Sequence, residues 1–173
     1  MHPIKKAVCT EIISLLNHPD AAIRKETIIA LRKPRFLYSK SERCQIDYFK
    51  DSFEWLCKLI DQLCQLVEDI DPKVQEAALA TLTTFAHPSY RGNVKKAINY
   101  KRDLIIKSTI ELLTKKQISE KVLVSGAKLL VEFQVVGSGN VLEKALAYYK
   151  NNNNNTKKLN AEKFLVKSIR LLQ

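Results

Sequence analysis

The feature that most restricts this chain is a match between two of its own segments. Leu15-Leu16-Asn17-His18-Pro19-Asp20-Ala21-Ala22-Ile23-Arg24 lies over Leu66-Val67-Glu68-Asp69-Ile70-Asp71-Pro72-Lys73-Val74-Gln75 at an offset of 51 residues, without a gap. The same register sets Ile12 on Leu63, Ile28 on Leu79 and Leu31 on Leu82. Each copy is the apolar end of one helix, a short turn and an aspartate placed to accept from the first free amides of a second helix. A β-branched residue follows three positions on, with a leucine eight after that. A hairpin of this kind carries more apolar surface than it can bury alone. Stacking such hairpins gives them a continuous core.

The rest of the chain extends the pattern. Only 4 Gly and 5 Pro are present, so long stretches run without backbone breakers and helices are favoured over a turn-rich β fold. Helical spacing covers residues 4–16, then a helix capped by Asp20 ends at Lys33-Pro34. Ser39 and Glu42 form a capping-box pattern. The apolar run from Ile46 to Val67 is either one helix or two helices broken at Asp51-Ser52. Asp71 caps the next helix, Pro72 suits its first position, and His87-Pro88 ends it. A loop over Ser89-Tyr90-Arg91-Gly92-Asn93 leads into a helix expected to run to about Leu113, and Ser119 caps another through Phe133.

Gly137-Ser138-Gly139 reads as a hinge before a helix over 140–150. The five-Asn tract opens a flexible surface loop at 151–157, and a last helix covers 160–172. Leu112-Leu113 with Val122 and Leu130 makes a looser third copy without the aspartate, and 140–172 makes a fourth. The expectation is one all-α domain over 1–173, an α-solenoid of about four antiparallel helix pairs, either whole or a piece of a longer solenoid.

The pattern Leu15-Leu16-x-x-x-Asp20-x-x-Ile23-Arg24, with Leu31 beyond it, resembles the core of a HEAT repeat, as does Leu66-Val67-x-x-x-Asp71-x-x-Val74. The resemblance to the HEAT/armadillo-like helical repeats covers about half the chain. His18 to Thr27 is also similar to units of adaptin-type trunk solenoids. In this family the turn aspartate caps the second helix, and an arginine after it joins Asp–Arg contacts between neighbouring units. Arg24 matches that position, whereas Gln75 and Leu123 do not, so the resemblance implies an interrupted ladder.

Charge and cysteine usage bound the function. Residues 1–86 hold 12 basic and 12 acidic side chains, and the whole net charge of +11 lies in 87–173. A basic half can steer an acidic protein, nucleic acid or another acidic surface, or simply solubilise the chain. Cys9, Cys44, Cys57 and Cys64 form no C-x-x-C pair, and Cys57 and Cys64 share the apolar face of one helix. They read as reduced, buried residues of an intracellular protein, cytoplasmic or nuclear. No apolar run approaches the ~18–20 residues of a membrane span.

Catalytic patterns are missing from the sequence. His18 and His87 each precede a proline at a helix end, a turn role, with no Cys, Ser or carboxylate arranged beside them. No metal-ligand spacing or phosphate loop occurs, and no cofactor or metal is expected. In the cluster Glu68, Asp69 and Asp71, Asp71 caps a helix and the others are expected in solvent. The chain therefore reads as a non-enzymatic scaffold or adaptor whose partner is another protein. A helical-repeat binder of nucleic acid or phosphate, using the basic second half, is the alternative.

Two sets of residues are candidates for contact. Loops joining successive units should emerge on one edge, making a basic, aromatic ridge of Arg35, Phe36, Tyr38, Lys40, Tyr90, Arg91, Lys95, Lys96, Lys101 and Arg102. Alternatively Phe36, Tyr38 and Tyr90 tuck onto the core. The final helix has apolar residues on more than one face, so Phe164, Leu165 and Leu172 form a candidate interface unless both faces meet the preceding helices.

Overall fold

A computed structural model describes residues 3–32, 53–90, 92–115, 118–152 and 162–173, and these are all-helical apart from turns. The first pair is α1 (Pro3–Leu16) and α2 (Ala21–Leu31), and the second is α3 (Phe53–Leu66) and α4 (Pro72–Ala86). A short α5 (Gly92–Tyr100) precedes α6 (Arg102–Leu113) and α7 (Glu120–Glu132), and α8 (Gly139–Asn152) and α9 (Glu162–Leu171) follow. No described helix is long and apolar enough to cross a membrane.

The helix starts follow their caps. Asp20 accepts from the Ala22 amide at 2.7 Å, and Asp71 accepts from Lys73 at 2.7 Å with Pro72 opening α4. Ser119 accepts from the Val122 amide at 3.3 Å. Each bond satisfies one of the amides that a helix N-terminus leaves free. His18 and His87 serve their turns: His18 Nδ1 accepts from the Asp20 amide at 3.0 Å, and His87 Nδ1 accepts from the Ser89 amide at 3.2 Å.

One expected helix is two. The chain turns at Lys101 (φ −96°, ψ 10°), so α5 packs on α3 and α4, while α6 packs on α3, α7 and α8. No Gly or Pro marks this break. It sits where the Lys101 ammonium reaches Asp61 on α3 at 2.7 Å. Tertiary contact, not local propensity, divides the segment.

Contacts between helices run in two rows. The first helices of the pairs touch in sequence, α1 to α3 to α6 to α8, and the second helices do likewise, α2 to α4 to α7 to α9. Within each pair the two members also touch. The core lies between the rows. Leu16, Ile28, Leu59, Leu63, Leu79, Leu82 and Phe85 fill its first part, completely or almost completely buried. Leu123, Leu130, Leu142 and Leu165 fill a second part, and Ile106, Ile118 and Val135 pack against both. Removing a leucine such as Leu82 would leave a cavity costing about 2–5 kcal/mol.

Candidate functional site

Among the described residues, three of the second helices share a groove. It is a hollow of about 310 Å3 across α2, α4 and α7. Its floor is Ile29, Ala77 and Ala80, and its small volume of side chain comes from the two alanines on α4. Around the floor stand Lys25, Arg32, Lys73 and Lys121, with Glu76 the one acidic residue of the lining. Helical spacing explains the grouping. Lys25, Ile29 and Arg32 occupy one face of α2 and its C-cap, and Lys73, Ala77 and Ala80 one face of α4. Lys25 lies 3.0 Å from Glu26. Among the described residues, none places a carboxylate within ion-pairing reach of Arg32, Lys73 or Lys121.

The turns between paired helices hold a different kind of charge. The Arg24 guanidinium donates to both oxygens of Asp69, at 2.8 and 2.7 Å, and to the carbonyls of His18 and Pro19, each at 2.8 Å. Hydrogen bonding to Asp69 is the largest influence raising the Arg24 pKa above its ordinary value. Asp69 also accepts from the Asp71 amide at 2.9 Å, and its carbonyl accepts from Gln75 at 2.6 Å. Asp69 was expected in solvent, but its side chain is 7% exposed, because it receives the arginine of the preceding unit. Gln75, at the position equivalent to Arg24, bonds within its own turn. Glu68 is more open and meets Lys115 of the following turn at 3.0 Å.

The sequence-derived ridge divides. Arg35, Phe36, Tyr38, Lys40 and Arg91 lie outside the described residues. Tyr90 belongs to the core, 7% exposed, its ring 5.8 Å from that of Phe85. Lys101 is engaged with Asp61, and Arg102 donates to the Phe133 carbonyl at 2.7 Å while lying over the Phe133 ring. Lys95 and Lys96 are exposed on α5. Tyr100, 71% exposed, meets Phe53 edge-on at 5.6 Å.

The final helix is not an open apolar face. Leu165 and Leu172 are buried and Phe164 is half-buried beside Lys128, because α9 packs on both α7 and α8. Leu171 is the large apolar residue of this helix left exposed. Nor is 137–139 built as a hinge. The amides of Gly137 and Gly139 both donate to the Leu172 carbonyl, at 2.7 and 3.2 Å. A Cβ at Gly139 would come within 2.8 Å of the Ile169 carbonyl oxygen, so glycine permits the approach.

The buried thiols are packing groups. Burial pushes the Cys64 thiol up to about 12, and it raises Cys9 and Cys57 as well. A nucleophilic cysteine needs the opposite shift. Among the described residues, no three His, Cys, Asp or Glu side chains gather as a metal site.

Sequence reading missed the groove, although a signal existed. The 51-residue register that aligns the turns also sets Lys25 on Glu76 and Ile29 on Ala80, all four of which line it. No protein-family model, curated protein or solved structure matches this chain.

Proposed function

We propose that this chain is a non-catalytic, HEAT-like α-solenoid scaffold that binds another protein. The observation that carries the reading is the double row of helix contacts, with a groove that, among the described residues, runs across three of the second helices. A surface assembled from several equivalent helices suits an extended partner. The 51-residue register and the capping aspartates support the same reading, as does the use of His18 and His87 in turns and of Cys9, Cys57 and Cys64 in packing.

Affinity capture from an extract of the protein's own cells, with lysine cross-linking and mass spectrometry, tests it. The expected result is a specific protein cross-linked to lysines of the second-helix side. Retention of no protein beyond what an unrelated basic helical protein holds would sink the scaffold reading.

A second reading is favoured by one place. Lys96 and Tyr100 lie four residues apart on α5, next to exposed Lys95, and Tyr100 is paired with Phe53. Cations beside an open aromatic suit phosphate and base contacts. Retention of single-stranded nucleic acid that falls steeply with added salt is the expected signature. No retention even at low salt removes this reading.

A further inference from the structure

We infer that the groove across α2, α4 and α7 is a docking site for an extended acidic polypeptide segment carrying an apolar side chain between its carboxylates. The inference rests on the scaffold reading and names the surface and the partner's chemistry. The rim holds Lys25, Arg32, Lys73 and Lys121 against a lone Glu76. Three of these cations have no carboxylate partner among the described residues. A ring of cations facing one hollow raises the local concentration of anionic ligands and selects against basic ones.

The floor argues for a polypeptide rather than a nucleic acid. Ile29, Ala77 and Ala80 offer a shallow apolar seat, which a leucine- or valine-sized side chain can cover. The lining contains no aromatic residue on which a base could stack, and Glu76 stands where a continuous phosphate backbone would be repelled. A peptide backbone, by contrast, has amides that can donate to that carboxylate. The spacing also suits an extended, polyproline-II-like segment. Lys25 and Arg32 are two helical turns apart, roughly 10 Å along α2. A polyproline-II-like chain covers that distance in about three residues, which is one turn of its own helix, so side chains three apart share a face. The preferred segment therefore places carboxylates three positions apart with an apolar residue between them.

A dye-labelled peptide of that pattern is the probe, read by fluorescence anisotropy on the full chain. Lys73→Glu with Lys121→Glu reverses two rim charges. Both positions lie in first helical turns, where glutamate is favoured, so folding is preserved. The expected loss is about tenfold in affinity, the sum of two rim ion pairs. Ala80→Phe fills the floor without changing charge, and should weaken the peptide by a comparable factor. Lys58→Glu with Lys144→Glu alters net charge equally on the first helices and should leave binding unchanged. Circular dichroism verifies each variant.

No binding by the probe overturns the inference. Equal weakening by the first-row pair, or displacement by oligothymidylate at lower concentrations than unlabelled peptide, also overturns it and makes the groove a general polyanion surface. If the rim-reversed chain still cross-links to the same cellular protein, the groove assignment falls while the scaffold reading stands.

Discussion

The first and last joints of the molecule are fastened by opposite means. Between the first and second pairs, the tie is a buried side-chain network in which Arg24 grips Asp69 with two hydrogen bonds. At the far end the central tie is main chain to main chain, with the Leu172 carbonyl held by two glycine amides, and the nearby Lys128–Phe164 and Lys150–Glu162 contacts are not buried ion pairs. The middle joint lies between these extremes. It relies on apolar packing of α4 against α7 and on partly exposed pairs, Lys101 with Asp61 and Lys115 with Glu68. A buried ion pair adds little net stability compared with an apolar substitute, because both charges lose their water. What it adds is register, since a displaced neighbour would leave two charges buried and unmatched. Close main-chain docking achieves register by shape instead, at positions where only glycine fits.

Breaking the first joint should have the largest effect. Asp69→Ala strands the Arg24 guanidinium and the Asp71 amide, and is expected to cost about 3–5 kcal/mol in urea unfolding. The double variant Arg24→Met with Asp69→Leu should cost less than Asp69→Ala alone. A larger loss in the double variant would show that the pair contributes net stability, not just register.

The middle joint can be probed by pH, since Cys64 on α3 lies beside Ser108 on α6. Burial raises its pKa in the folded chain to about 12, from the ordinary thiol range near 9. Below pH 9 the thiol is protonated in both states and pH does not matter. As pH climbs from 9 towards 12 the unfolded thiol ionises first, so stability falls, by up to about 4 kcal/mol. Cys64→Ala should show a shallower alkaline decline over that window, measured as the slope of unfolding free energy against pH. An unchanged slope would remove Cys64 from the explanation.

Gly139→Ala attacks the last joint. The new methyl meets the Ile169 carbonyl, and a loss of about 2 kcal/mol is expected, with faster hydrogen exchange concentrated in α8 and α9. Uniform loosening of the whole chain would mean that the two ends are one cooperative unit. Asp20→Ala should cost about 1 kcal/mol as a lost helix cap. Lys115→Ala, removing a half-exposed pair, should fall within about 0.5 kcal/mol of the parent. If it cost as much as Asp69→Ala, the contrast between buried and screened ties would collapse.

The residues that sequence reading placed well are those whose role is local. Asp20, Asp71 and Ser119 cap helices because a side-chain oxygen two or three residues before a free amide has few other options. Apolar periodicity likewise marked Ile28, Leu63 and Leu82 as inward-facing. The break at Lys101 was not legible, because nothing in 92–113 disfavours a continuous helix until Asp61 from α3 is brought alongside. Tyr90 was ambiguous for a related reason. An aromatic residue in a loop suits a surface contact or a core equally, and the position of Phe85 settles it.

The basic groove shows the limit most clearly. By sequence the entire charge excess lies in 87–173, yet three of the four rim cations, Lys25, Arg32 and Lys73, come from the electrically balanced half. Net charge along a chain is a sum over sequence neighbours, whereas a ligand meets a sum over spatial neighbours. Burial also cancels some charges and leaves others open. Arg24 is consumed by Asp69, while Lys25, one residue on, faces the hollow. The sequence by itself determined most of the helix spans, the caps at Asp20, Asp71 and Ser119 and the 51-residue register, because these depend on periodicity and contacts within a few residues. The tertiary structure alone decided which charges are spent inside and which converge on a surface. That choice depends on how helices far apart in the chain are brought side by side.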